Sequence, residues 1–206
     1  MKNTHKLIEY LSNKLHSIYE IYADFENNLT NTKINLVKRA LSQKDIGQAN
    51  YRLEYIEGNL FRQAMLIMVC SYLEEAMNLI GEQTMSDYAA KISKKTNENW
   101  FKERKRLFND AGISFKEIEE ECDRINDLRI VRNCIVHAGG SIIKCQNPRQ
   151  VEKAIKKLNE RDKDKNMNLV DIFCADKFLY LGDNIIATTI IASEAIIRHC
   201  SKAEPT

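Results

Sequence analysis

Apolar residues recur along most of this chain at intervals of three and four, the spacing that lines one side of an α-helix. Leu7, Leu11, Leu15, Ile18, Tyr22 and Phe25 predict a first helix from about His5 to Glu26, with Asn27-Asn28 as a kink or stop. The pattern resumes at Ile34, Val37 and Leu41, giving one long helix or two, and Gly47 and Asn50 read as a turn. A second long helix is predicted from about Tyr51 to Glu82. Its middle, Ala64 to Leu73, is apolar all round and bounded by Arg62-Gln63 and Glu74-Glu75. Such a helix is central in a bundle or buries a face against a partner. Residues 83 to 96 connect it to a basic helix from Glu98 to Asn109, where Trp100, Phe101, Leu107 and Phe108 interleave with Lys102, Arg104, Lys105 and Arg106. That mixture reads as a solvated basic face with aromatics in the core, or as a surface for phosphates and stacked bases.

Gly112 then provides a C-terminal cap, and Ser114 with Glu117 has capping-box spacing for the next helix. On that helix Ile118, Ile125, Leu128, Ile135 and Val136 share an arc of roughly 100°. Arg132 falls near the centre of the arc, and Asn133 and His137 lie together on its flank. The helix stops at Gly139-Gly140. Beyond it, Ser141 to Cys145 and Asn168 to Phe173 alternate weakly and predict a small hairpin or extended segments. Glu152 to Lys165, rich in lysine, reads as a solvated helix and loop, or as a lid or RNA-contacting arm. A last helix is predicted from Asp176 to His199, burying Ile185, Ile186, Ile190, Ile191, Ala195 and Ile196, before a frayed tail from Ser201. The expected fold is all-α: a bundle of about five to six helices in one domain, 1–206, with 1–45 an N-terminal helical segment and 50–200 the core.

Composition narrows this little. Two prolines and seven glycines favour long helices, and 44% apolar with 29% charged residues is the balance of a soluble globular chain. A net charge of +2 makes no global electrostatic case for nucleic acid, so any such contact has to be local. The first residues lack a secretory pattern and the apolar run at 64–73 is too short to span a bilayer, so a cytoplasmic protein without membrane contact is expected. Six cysteines without Cys-x-x-Cys spacing predict reduced, buried thiols, with neither zinc nor disulfides.

The chemistry concentrates in Arg132-Asn133-Cys134-Ile135-Val136-His137. Burying a guanidinium is costly without an anion or a wet interface, and Glu74 or Glu75 is a candidate partner. His137 is one of four histidines and reads, blandly, as a helix-end cap. The arrangement resembles the signature of HEPN domains: an arginine followed by a polar residue, then a histidine four to six residues on, at a helix end before glycines. Its surroundings, roughly residues 50 to 200, resemble that family too.

The resemblance implies a metal-independent RNA endonuclease needing no cofactor, the toxin or effector of a prokaryotic defence or toxin–antitoxin system, with an antitoxin or defence protein as partner. In it His137 would act as general base or acid, Arg132 would stabilise phosphorane charge, and Asn133 would position phosphate or histidine. A homodimer through the signature helix would assemble the composite site and leave 2′,3′-cyclic phosphate ends. Two alternatives stay open: a non-catalytic dimerisation or nucleotide-binding module, and a structural bundle with Arg132 in a core ion pair.

Overall fold

The computed structural model describes residues 2–39, 43–92, 99–161, 167–172 and 176–202. They form an all-α bundle with one small antiparallel hairpin. The helices are α1 (Lys2–Arg39), α2 (Gln43–Tyr51), α3 (Asn59–Thr84), α4 (Tyr88–Lys91), α5 (Trp100–Asp110), α6 (Glu119–Ala138), α7 (Pro148–Arg161) and α8 (Ile185–Cys200). The hairpin pairs β1 (Met167–Ile172) with β2 (Asp176–Leu181). Among the described residues the bundle is built mainly from α1, α3, α5, α6, α7 and α8, with the short α2 and α4 between them.

α1 does not stop at Asn27-Asn28. Asparagine lowers helix propensity by well under about 1 kcal/mol, and the buried stripe of Leu11, Leu15, Ile18, Tyr22 and Leu29 runs straight through the pair. The predicted turn at Gly47 and Asn50 is also helical. A π-helical stretch, Arg52–Gly58, then joins α2 directly to α3. α3 is the central element and packs against α1, α5, α6 and α8. Taken from Gln43 to Thr84, this helical run holds an apolar window long enough to cross a bilayer, 56% of it buried within the fold. Core helices and membrane spans share that signature.

Arg62 and Gln63 do not bound the apolar stretch from solvent; both are inside. Arg62 is 1% exposed. It donates to Glu26 through Nε and Nη2 at 2.7 and 2.8 Å, to Glu54 at 2.6 Å, and to the Leu181 carbonyl at 3.2 Å. Lys33 and Tyr180 complete the network on Glu54. One guanidinium thereby ties together α1, the π-helical stretch, α3 and β2. Burial would raise the Glu54 pKa, but hydrogen bonds from Lys33, Tyr180 and Arg62 outweigh it and lower it from 4.5 to about 2. The folded protein binds that proton less tightly than the unfolded chain does. The stabilisation is therefore complete above about pH 4.5 and is lost as pH falls towards 2. In urea titrations the wild-type midpoint should drop across this window, and Glu54→Gln should flatten the drop; parallel curves would refute the assignment.

The last helix begins nine residues later than expected, because Asp176–Leu181 is a strand. Leu179 and Leu181 point inward while Phe178 and Tyr180 are half-buried, a period of two, and Gly182-Asp183-Asn184 separates strand from helix. Ser141 to Cys145 does not pair with β1; its contribution is a single bridge from Ser141 to Phe178 on β2. On α8, Ile191 is 66% exposed rather than buried. His199 instead turns inward, its Nε2 lying 2.8 Å from the Ser114 carbonyl.

Candidate functional site

α6 ends as its glycines require. Gly139 and Gly140 adopt φ of +59° and +78°, a left-handed pair that L side chains resist. Their N–H groups return to the carbonyls of Ile135 and Cys134 at 2.9 and 3.3 Å. Gly140 is doubly constrained, since a Cβ there would sit 3.2 Å from the Gln63 amide of α3. The exit is held further by β2: the Leu179 N–H donates to the Gly140 carbonyl and the Ile142 N–H to the Lys177 carbonyl, both at 2.9 Å. Asn59 and Gln63 grip the same strand, each donating to the Leu179 carbonyl at 3.1 Å, while Asn59 accepts from the Leu181 N–H. The N-terminal end of α6 differs from expectation. Ser114 makes no side-chain cap, and Glu117 faces solvent to pair with Lys202 at 2.8 Å.

The buried side of α6 is Ile125, Leu128, Val131 and Ile135. Arg132 is therefore not at the centre of the core face but at its edge, half-buried, and Val136 is 43% exposed. The arc inferred from sequence is rotated because Val131 and Cys134, not Val136, complete the core stripe. Arg132, Asn133, Val136 and His137 share the solvent side of the last two turns, joined by Arg129 one turn earlier. Arg132 donates to the Asn133 Oδ1 at 3.1 Å. The proposed carboxylate partners lie elsewhere: Glu74 is 3.8 Å from Arg104 and Glu75 is exposed. Among the described residues, neither Arg129 nor Arg132 makes an ion pair, and His137 has no hydrogen bond. Burial and the like charge of Arg132 push the Arg129 pKa down, partly offset by Cys70. Cys70 of α3 is driven up to about 12 by burial, against the pull of these two arginines.

Comparison of the chain with family models, curated proteins and solved structures finds no significant match. The site must be read from its own geometry.

A cleft of about 320 Å³ opens beside His137. α6 supplies Arg129, Asn133 and His137; the following loop and α7 supply Cys145, Gln146, Asn147 and Gln150. The charged run from Glu152, read as a solvated helix and loop or as a lid or arm, lies on the amphipathic helix α7, which buries Val151, Ala154, Ile155 and Leu158 and packs against α6; residues 162–166 lie outside the described residues. Asp127, 4% exposed, clamps the two helices by accepting from Arg161 at 2.9 Å.

The cysteine expectation fails here. Cys134, inside the signature, is disulfide-bonded to Cys145 with Cα atoms 5.6 Å apart. Cys70, Cys122 and Cys200 are free and buried as expected, and Cys174 lies outside the described residues. Two cysteines flanking a Gly-Gly reversal were the signal for this staple. A closed loop this short stabilises by roughly 3 kcal/mol in the chain-entropy account. Cys145→Ser should therefore lower the urea midpoint in non-reducing buffer, and reductant should lower wild type to the same value. A wild-type midpoint indifferent to reductant would contradict this.

The basic helix α5 does not present the aromatic–cationic surface considered above. Phe101, Leu107 and Phe108 are core, and Arg104 turns inward to Glu103 at 2.5 Å and Asn78 at 3.0 Å. Lys102 and Arg106 remain outside. Arg129 and the amide-rich outer wall escaped the sequence reading. Arg129 could have been found there, since positions three before Arg132 and four before Asn133 share their face. Among the described residues, no group of three His, Cys, Asp or Glu is placed to hold a metal ion.

Proposed function

We propose that this protein is a HEPN-type endoribonuclease, acting without a metal as a homodimer. The observation that carries the reading is the exposed end of α6, where Arg132, Asn133 and His137 stand together with no carboxylate neutralising the guanidinium. His137 would remove the 2′-hydroxyl proton or protonate the leaving 5′-oxygen, the acid–base role an imidazole can fill. Arg132 would hold the phosphate as charge builds on it, and Asn133 already orients one end of that guanidinium.

One chain brings one such histidine, so two proton transfers call for two chains. α3 lies antiparallel beside α6, with Gln63 at Gly140 and Cys70 near Arg132, and it exposes Leu60, Ala64, Met68 and Ser71 along one line. With Val136 this is apolar area that a two-fold partner could cover. RNA is the substrate, DNA lacks the nucleophile, and the ends are a 2′,3′-cyclic phosphate and a 5′-hydroxyl. The toxin or effector role and an antitoxin or defence partner come with the HEPN resemblance.

The lack of any hydrogen bond orienting His137 favours one other reading, a non-catalytic nucleotide-binding or dimerisation module. Incubating the purified protein with mixed RNA in EDTA separates the two. Cleavage with cyclic-phosphate ends, and growth arrest on expression, are expected. Intact RNA at every protein concentration would leave the binding module.

A further inference from the structure

The cleft between α6 and α7 has a one-sided chemistry. Among the described residues no carboxylate lines it. Arg129 lines it, and the Nε of this arginine is buried without a hydrogen-bond partner. A buried cation lacking a counter-charge is costly, and an anion relieves that cost. α7 contributes from the other wall. Its first turn opens with Pro148 and holds no acidic residue, and Gln150 and Val151 from that turn line the cleft. The positive end of a 14-residue helix thus faces the same space.

Charge selects an anion; the remaining lining selects what the anion is attached to. Gln146, Asn147 and Gln150 are three primary amides on one wall, and such groups pair donor with acceptor as nucleobase edges do. Asn147 uses its Oδ1 to cap the Gln150 N–H at 3.2 Å, leaving its NH₂ to donate. Gln146 and Gln150 have no side-chain partner among the described residues. The volume of about 320 Å³ suits one nucleotide, at the small end of ligand pockets. The disulfide and the Asp127–Arg161 clamp fix the two walls relative to each other before any ligand arrives.

We infer that this cleft is a nucleotide subsite: Arg129 and the α7 N-terminus hold a phosphate of single-stranded RNA, and Gln146, Asn147 and Gln150 read the attached base. The choice of RNA as the polymer rests on the ribonuclease reading; the subsite adds a source of sequence preference to it.

Nucleoside 3′-monophosphates of the four bases test this, because they contain no scissile bond and report binding alone. Titrations followed by the NMR shift of the backbone amide at position 150 should show one base preferred. Arg129→Gln should weaken all four about tenfold or more. Gln146→Ala or Gln150→Ala, at exposed positions that cannot unfold the protein, should shift the preference between bases roughly tenfold while inorganic phosphate binds as before. Equal affinity for phosphate and all four nucleotides would reduce the cleft to an anion site and overturn the proposal, as would wild-type binding by Arg129→Gln. A His137→Ala protein that cleaves RNA normally would sink the catalytic reading and leave these titrations unaffected.

Discussion

Arg62→Ala should lower the free energy of unfolding by about 3–5 kcal/mol, the largest loss expected from any single polar substitution here. The guanidinium is 1% exposed while its partners Glu26 and Glu54 are 17% and 21% exposed, so its removal leaves two carboxylates at the edge of the core with only Lys33, on Glu54, to balance them. Arg62→Lys keeps the charge but cannot serve Glu26 through two nitrogens while also reaching Glu54 and the Leu181 carbonyl, so an intermediate loss is expected. Urea denaturation at pH 7 reads both. A loss below about 1 kcal/mol for Arg62→Ala would mean that water solvates the carboxylates and that the network contributes as little as a surface pair.

The second large effect is on activity and should leave stability alone. If α6 carries the chemistry, His137→Ala should reduce RNA cleavage by about 10²–10⁴-fold, as loss of a general acid–base group does, and Arg132→Ala by about 10²–10³-fold. His137 is exposed and Arg132 half-buried at the edge of the core face, so His137→Ala should unfold within about 0.5 kcal/mol of wild type and Arg132→Ala within about 1 kcal/mol. That separation distinguishes a catalytic motif from a helix cap or a core ion pair, which would lose stability first. Mixing the two variants sharpens the test. In a two-fold site built from both chains, the mixed dimer retains one Arg132 and one His137 together and should cleave faster than either parent. No gain on mixing, with dimers present, would argue that the chains work separately.

Much of the bundle was legible because its signals are local. Helical spacing located α1, α3, α5 and α6, and Gly112 and Gly139-Gly140 marked two ends at the residues where the backbone turns left-handed. The failures share a cause in distant partners. Arg62 looked like a polar boundary because Glu26 and Leu181, which help make it a core residue, are far away in sequence, and Glu54, eight residues back, reaches it only through the π-helical stretch. Asp176–Leu181 looked like the start of a helix because Leu179 and Leu181 fit either period; the carbonyl grip of Asn59 and Gln63 decides for a strand. At the site, the motif itself was visible, but its facing was not. Val131 and Cys134 rotate the buried stripe away from Val136, and the staple to Cys145 needed a loop whose path no periodicity encodes.

The grip of Asn59 and Gln63 on β2 also sets an order of events during synthesis. These contacts join residues 116 to 122 positions apart. When the ribosome has made α6 with its arginines and histidine, the strand that holds Gly140 and Ile142 does not yet exist. The glycine-ended tip of that helix acquires its support only after residue 181 has emerged and folded back onto α3, so a chain interrupted before that point carries Arg132 and His137 without the frame that holds them in place.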